Sequence, residues 1–215
     1  MIRNITPLPK FLVNRYKSWK TSTFEKNKTW YNKIAKEGQQ PKAMIISCCD
    51  SRVHVTSIFG ADEGEFFIHR NIANLIPPYN PDGDHHGTSA AIEYAVKALN
   101  VPHIIVLGHS ECGGIISGYH LYSNLKEYDD YVFVNKWLDI LKPAYDNLPT
   151  GESQEKQIHL LGEESIRVSI KNLLNFPTIK ELLEKNNVTI HGLWHDIGSG
   201  TLKSLESVTG KFVKL

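Results

Sequence analysis

The sequence predicts an α/β protein with a mainly parallel β-sheet, an antiparallel edge strand, flanking helices and an N-terminal helical arm. Three observations carry this. Short apolar runs at 43–47, 65–70 and 103–108 have the length and composition of buried strands. A helical repeat lies between the second and third, and strand, helix, strand in that order implies parallel pairing through a right-handed crossover. Towards the C-terminus, VTIHGLWHDIGSGTLKSLESV (188–208) reads as strands around a Gly198-Ser199-Gly200 turn.

Residues 10–37 set Phe11, Tyr16, Trp19, Phe24, Trp30, Tyr31 and Ile34 among many charges, the pattern of one or two amphipathic helices. So many aromatics need a cover, either the chain's own core or a second subunit. After Pro41 the run 43–47 is a strand, and EFFIHR (65–70) is the next. TSAAIEYAVKAL (88–99) repeats Ala91, Ile92, Ala95, Val96 and Leu99 with helical spacing, and Thr88 is available as N-cap. Asn100 closes that helix, Pro102 prevents its continuation, and HIIVLG (103–108) is a further strand. Ile158, Leu161, Ile166, Ile170 and Leu173 mark a helix over 154–176, and Pro177 starts a shorter one ending near Asn186. No repeat or linker divides the chain. The expectation is one domain over 1–215, with an arm at 1–37 and an α/β core at 38–215.

Lys and Arg number 24 against 23 Asp and Glu, a balance that offers no electrostatic argument for a nucleic acid or membrane partner and suits a small ligand. The first twenty residues have neither the apolar core of a signal peptide nor a spanning run, so a cytoplasmic location is expected. Two of the three cysteines are neighbours, poor geometry for an ordinary disulfide. In a reducing compartment, clustered Cys and His point to metal or catalysis.

Both Cys-containing motifs directly follow expected strands, at the carboxyl ends where open α/β sheets bind ligands. In GHSECGG (108–114), His109 and Cys112 sit at i and i+3 and can face one point. In IISCCDSRV (45–53), an extended chain puts Cys48, Asp50 and Arg52 on one face and Cys49 and Ser51 on the other. Cys48, His109 and Cys112 then form a three-ligand set with one open vertex, the pattern of catalytic zinc. A vicinal Cys pair is as often plain packing, and an isolated H-x-x-C arises by chance. It is their joint position beside a carboxylate and a guanidinium that favours a metal.

These residues resemble the β-class carbonic anhydrases. CCDSR matches that family's C-x-D-S-R motif and HSEC its H-x-x-C motif, while FFIHRNIANLIPP (66–78), AAIEYAV (90–96) and GHSECGG extend the likeness from about 38 to 117. A weaker likeness covers VTIHGLWHDIGSGTL. The resemblance implies a carbonate dehydratase, a lyase that hydrates carbon dioxide to bicarbonate and a proton through zinc-bound hydroxide. It implies one Zn2+ per subunit on Cys48, His109 and Cys112, with Asp50 and Arg52 as a catalytic dyad. Two thiolates cancel the metal's charge, so the water is expected to be less acidic than in a three-histidine site and activity to rise on the alkaline side. Arg52 would fork onto Asp50 and hold it off the metal. By likeness to plant-type members, Phe67, Ile72 and Tyr94 would line a carbon dioxide slot, partly across a dimer interface. Gln39 and the Gly113 N–H would donate to substrate, Gly113 and Gly114 permitting close backbone approach. The implied partners are the small substrate and further copies of the chain, as a homodimer or homotetramer. Some members bind regulatory bicarbonate beside a Trp three residues before the first zinc Cys; Ile45 stands there and favours an open site without that regulation.

Other readings stay open from sequence. The same metal set would serve a hydrolase of carbonyl sulfide or carbon disulfide, or a zinc protein that senses redox state through Cys49. His85 and His86 could relay protons, although a solvated loop is the blander reading. His191 and His195 are four apart on an expected strand and read as structural. Arg70 and Asn71 are expected to organise an interface.

Overall fold

The computed structural model describes residues 6–83, 86–123 and 130–215. The chain divides into two compact units, Met1–Gln39 and Gln40–Leu215.

In the first unit α1 (Lys10–Trp19) runs through a π-helical turn (Lys20–Phe24) towards α2 (Lys28–Glu37). Thr21 and Ser22 donate their hydroxyls to the Lys17 and Ser18 carbonyls at 3.1 and 2.7 Å, back-bonding that competes with the regular ladder where the helix widens. Trp19, Phe24 and Tyr31 cluster, with Phe24 stacked on Tyr31 at 5.0 Å and Trp19 5.6 Å from Phe24. Gly38 ends α2 at φ 75°, ψ −173°, a conformation that an L side chain resists.

The second unit is built on a six-stranded sheet of order β2-β1-β3-β4-β5-β6. Its elements in chain order are β1 (Ala43–Cys48), α3 (Val55–Phe59), β2 (Phe66–Asn71), α4 (His86–Lys97), β3 (His103–His109) and α5 (Gly113–Tyr122). Then follow α6 (Val132–Leu138), α7 (Lys142–Asp146), α8 (Gln154–Leu173), α9 (Pro177–Glu184), β4 (Thr189–His195), β5 (Leu202–Leu205) and β6 (Phe212–Lys214). β2, β1, β3 and β4 run parallel, and β5 and β6 add antiparallel strands at one edge. The expected fold class is the one observed.

All six β1 residues are buried, as a strand covered on both faces requires. On one face Met44, Ile46, Ile104 and Val106 pack with Ile92 and Val96 of α4, Ile166 of α8 and Ile179 of α9. On the other, Ile45, Leu107 and Leu193 meet Val53 and Val55. Ser153 caps α8 by accepting from the Lys156 N–H at 3.2 Å.

Two local expectations are corrected, and one strand lies beyond the expected ones. α4 begins at His86, so Thr88 is no N-cap. It is buried, and its hydroxyl meets His69 Nε2 at 3.0 Å and Asn71 Nδ2 at 3.2 Å. Tertiary partners here outbid the capping preference. α8 ends at Leu173, ahead of the expected 176, because Phe176 already serves as N-cap of α9. β6 has only three residues, too few for a sequence pattern. It is held where Arg167 of α8 donates to the Gly210 carbonyl at 2.7 Å and lies 4.9 Å over the Phe212 ring. His85 lies outside the described residues.

Candidate metal centre

β1 and β3 are neighbours and parallel, with Ser47 paired to Leu107, so their carboxyl ends open side by side. Cys48 is the last residue of β1, His109 the last of β3, and Cys112 the N-cap of α5. Their ligand atoms all lie within 4.8 Å of one another, and all three residues are buried. Among the described residues this is the one such group of three or more His, Cys, Asp or Glu.

The donor set fits zinc. Cys48 Sγ and Cys112 Sγ are 3.7 Å apart. Two thiolates on one tetrahedral zinc, at Zn–S of about 2.3 Å, stand about 3.8 Å apart. His109 Nδ1 faces the Ser110 carbonyl at 2.8 Å, which places the proton there and leaves Nε2 as the free lone pair. That Nε2 is buried without a hydrogen-bond partner, an orphan that a cation satisfies.

Backbone N–H groups turn towards both sulfurs, from Asp50 and Ala73 to Cys48 and from Ile115 and Gly114 to Cys112. The Cys112–Cys48 hydrogen bond pulls the Cys48 thiol down; the same bond, with burial, pushes Cys112 up. Metal binding requires both thiols as thiolates, and a bound cation would stabilise them.

Asp50 and Arg52 lie in the turn that leaves β1. Arg52 Nε donates to Asp50 Oδ1 at 3.0 Å and Nη2 to Oδ2 at 2.7 Å, while the Arg52 N–H adds a third bond to Oδ1 at 2.9 Å. The Arg52 side-chain bonds hold the Asp50 carboxyl far below the usual carboxylate range. Arg52 Nη2 also reaches the Glu111 carbonyl at 2.9 Å, tying this turn to the loop that carries His109 and Cys112. Glu111 has φ 55° within that loop.

The other sequence-derived residues divide. Ile72 packs by the start of α5, where a Cβ on Gly114 would stand 2.7 Å from Ile72 Cγ2 and 3.0 Å from Ala73 Cβ. Close approach belongs to Gly114 alone, because a Cβ on Gly113 would meet open space. Phe67 and Tyr94 pair at 5.8 Å between centroids. Phe67 is in register with Met44, four positions before Cys48, or about 13 Å along a strand. Gln39 is exposed and closes the first unit. Ile45 is fully buried. Cys49 is exposed and its N–H continues the ladder to the Asn71 carbonyl at 2.9 Å. His191 and Thr189 are bonded at 2.7 Å, with His103 on the same hydroxyl at 2.7 Å, well away from His195 along β4. His86 is exposed.

Sequence reasoning missed what Arg70 and Asn71 do. Arg70 donates to the carbonyls of Cys48, Asp50 and Val53 at 2.8, 2.6 and 2.9 Å. Asn71 accepts from the Leu75 N–H at 2.9 Å and donates to its carbonyl at 2.8 Å. That fork spans buried Ala73 and Asn74, which hold φ of 61° and 52°, and so keeps the Ala73 N–H on the Cys48 side. The available signal was a polar HRN closing a strand that lies beside the Cys48 strand.

Beta carbonic anhydrase 3 of Arabidopsis thaliana is 39% identical over 196 residues, spanning 88% of this chain and 75% of that one. The family model described as carbonic anhydrase matches residues 43–202. The chain belongs to the β-class carbonic anhydrases. The solved β-carbonic anhydrase CcaA superposes with a TM-score of 0.88 at 28% identity, over 96% of this chain and 91% of that one. One of two tetrameric β-carbonic anhydrases of Sordaria macrospora gives 0.79 at 31% identity, over 95% and 98%. As a carbonic anhydrase the protein is a lyase that hydrates carbon dioxide reversibly and uses zinc, for which Cys48, His109 and Cys112 offer the ligands.

Proposed function

We propose that Cys48, His109 and Cys112 hold the zinc of this carbonic anhydrase while Asp50 and Arg52 orient the attacking oxygen in an open site. The observation that carries the reading is the two-point fork of Arg52 on Asp50 beside the ligand set. Bound zinc supplies Lewis acidity that brings a water towards ionisation near neutral pH. Asp50, kept ionised by Arg52, accepts a hydrogen bond and so selects an oxygen that still carries a proton, turning its lone pair towards carbon dioxide. The fork also occupies both carboxylate oxygens, which restrains Asp50 from becoming a fourth ligand.

Carbon dioxide is apolar and waits in an apolar slot, assigned to Ile72, Phe67 and Tyr94. The strand-length separation of Phe67 from Cys48, together with Tyr94 being half exposed, supports a slot completed by a second copy of the chain. Gln39 donates to a substrate oxygen. Gly113 opens α5, where first-turn N–H groups lack helical acceptors and favour the negative charge that develops on that oxygen. The chain is read as one domain over 1–215, with an arm at 1–37 and an α/β core at 38–215. The enzyme is read as a cytoplasmic homodimer or homotetramer, and the tetrameric Sordaria macrospora relatives support the oligomer. Among the described residues no helix is long and apolar enough to cross a membrane.

Stopped-flow carbon dioxide hydration from about pH 6.5 to 9, with zinc content measured on the same sample, tests the reading. Turnover that scales with zinc and rises with pH is expected. A zinc-loaded protein inactive across that range overturns it.

A further inference from the structure

We propose that Arg70 is a positioning residue for the metal centre, acting through the backbone of the Cys48–Val53 turn. The proposal rests on the zinc-dependent hydration reading and adds a residue to it. β1 ends at Cys48, the Cys49 N–H adds one more ladder bond to the Asn71 carbonyl, and a turn closed by the Val53 N–H on the Asp50 carbonyl at 3.0 Å follows. Backbone carbonyls that leave a sheet need donors, and of the three here the Asp50 carbonyl also accepts from the Val53 N–H. The carbonyls of Cys48, Asp50 and Val53 all converge on one guanidinium, at 2.8, 2.6 and 2.9 Å. Arg70 stands opposite Ser47 in the register, one position before the residue that pairs with Cys48. It is half buried, so these bonds are partly shielded from water.

Two arginines therefore hold this turn, one through the Asp50 side chain and one through the main chain. Arg52 bonds the Asp50 carboxylate and the Glu111 carbonyl; Arg70 bonds the main-chain carbonyls of the residues that carry that carboxylate and the Cys48 sulfur. In the turn that Arg70 holds, Cys48 Sγ is 3.7 Å from Cys112 Sγ and the Asp50 side chain meets Arg52. Lys at this position retains charge but brings a single nitrogen, which cannot match a planar guanidinium that donates through Nε to one carbonyl and through Nη2 to two others. The metal ligand and the carboxylate would then sample several positions.

The test compares wild type, Arg70→Lys and Arg70→Gln by zinc affinity in competition with a chromophoric chelator, by the thiolate-to-metal absorption bands of the cobalt(II)-substituted protein, and by kcat and KM per zinc-loaded molecule. Arg70→Lys is expected to weaken zinc binding about 10- to 100-fold, to shift the cobalt bands, and to lower kcat more than it raises KM. Arg70→Gln is expected to lose more on each count; should it fail to fold, Arg70→Lys decides. A lowered melting temperature with wild-type zinc affinity, cobalt bands and kcat would overturn the proposal, because it assigns Arg70 to general stability alone. Inactive zinc-loaded wild type would count against the hydration reading, while the affinity and cobalt measurements would still judge Arg70.

Discussion

Cys48 Sγ lies 3.7 Å from Cys112 Sγ across 64 positions of sequence, with the unpartnered Nε2 of His109 in the same small space. The parallel pairing of β1 with β3 brings the two motifs together. Replacing Cys112 by Ser removes one thiolate from that set. Zinc content after dialysis against a weak chelator is expected to fall to about a tenth of wild type or less, with hydration falling in proportion.

The Arg52 fork predicts a geometric rather than a purely electrostatic requirement. Arg52→Lys keeps the charge and loses the two-point contact with Asp50. Turnover is expected to drop about 10- to 100-fold with zinc content unchanged. Unchanged turnover in that variant would remove the orienting role assigned to Asp50.

Gly114 and Gly113 are adjacent and predicted to differ. A Cβ at Gly114 would press on Ile72 and Ala73, at 2.7 and 3.0 Å, whereas one at Gly113 would find open space. Gly114→Ala is expected to destabilise the protein by about 1–3 kcal/mol, read by chemical denaturation, and to lower activity by moving Ile72. Gly113→Ala keeps its N–H and is expected to remain near wild type in stability.

Acid stability offers a check at the β4–β5 turn. Asp196 accepts from the Ser199 hydroxyl at 2.6 Å and from the Ser199 N–H at 2.7 Å, and these bonds hold its carboxyl below the usual range. A depressed folded-state value adds stability that is present above the unfolded value of about 3.9 and is lost as pH falls below it. The melting-temperature gap between wild type and Asp196→Asn is therefore expected to be constant above about pH 5 and to shrink below about pH 4. A gap that widens towards acid would contradict the assignment.

The extent of legibility follows from the range over which each feature is encoded. Strands 43–48 and 103–109 and the helices around Ile92 and Ile166 were readable because hydrophobic spacing within ten or so residues sets which face is buried. Cys48, His109 and Cys112 were readable because ligand chemistry is carried by residue type and both motifs follow strands. α5 was not, since its paired glycines resemble a loop until Ile72 and Ala73 close over them. Thr88 was misassigned because its hydroxyl partner, His69, is nineteen positions away.

The sequence by itself determined the α/β class and put the Cys, His, Asp and Arg side chains of the candidate site in two short motifs, since each depends on local periodicity or on residue type. Only the tertiary structure decided that Arg70 holds three carbonyls, that Arg52 reaches Glu111, and that Ser110 settles the His109 proton. Those are matters of which donor meets which acceptor at about 3 Å, and they depend on how strands and turns come together in space, which no local pattern records.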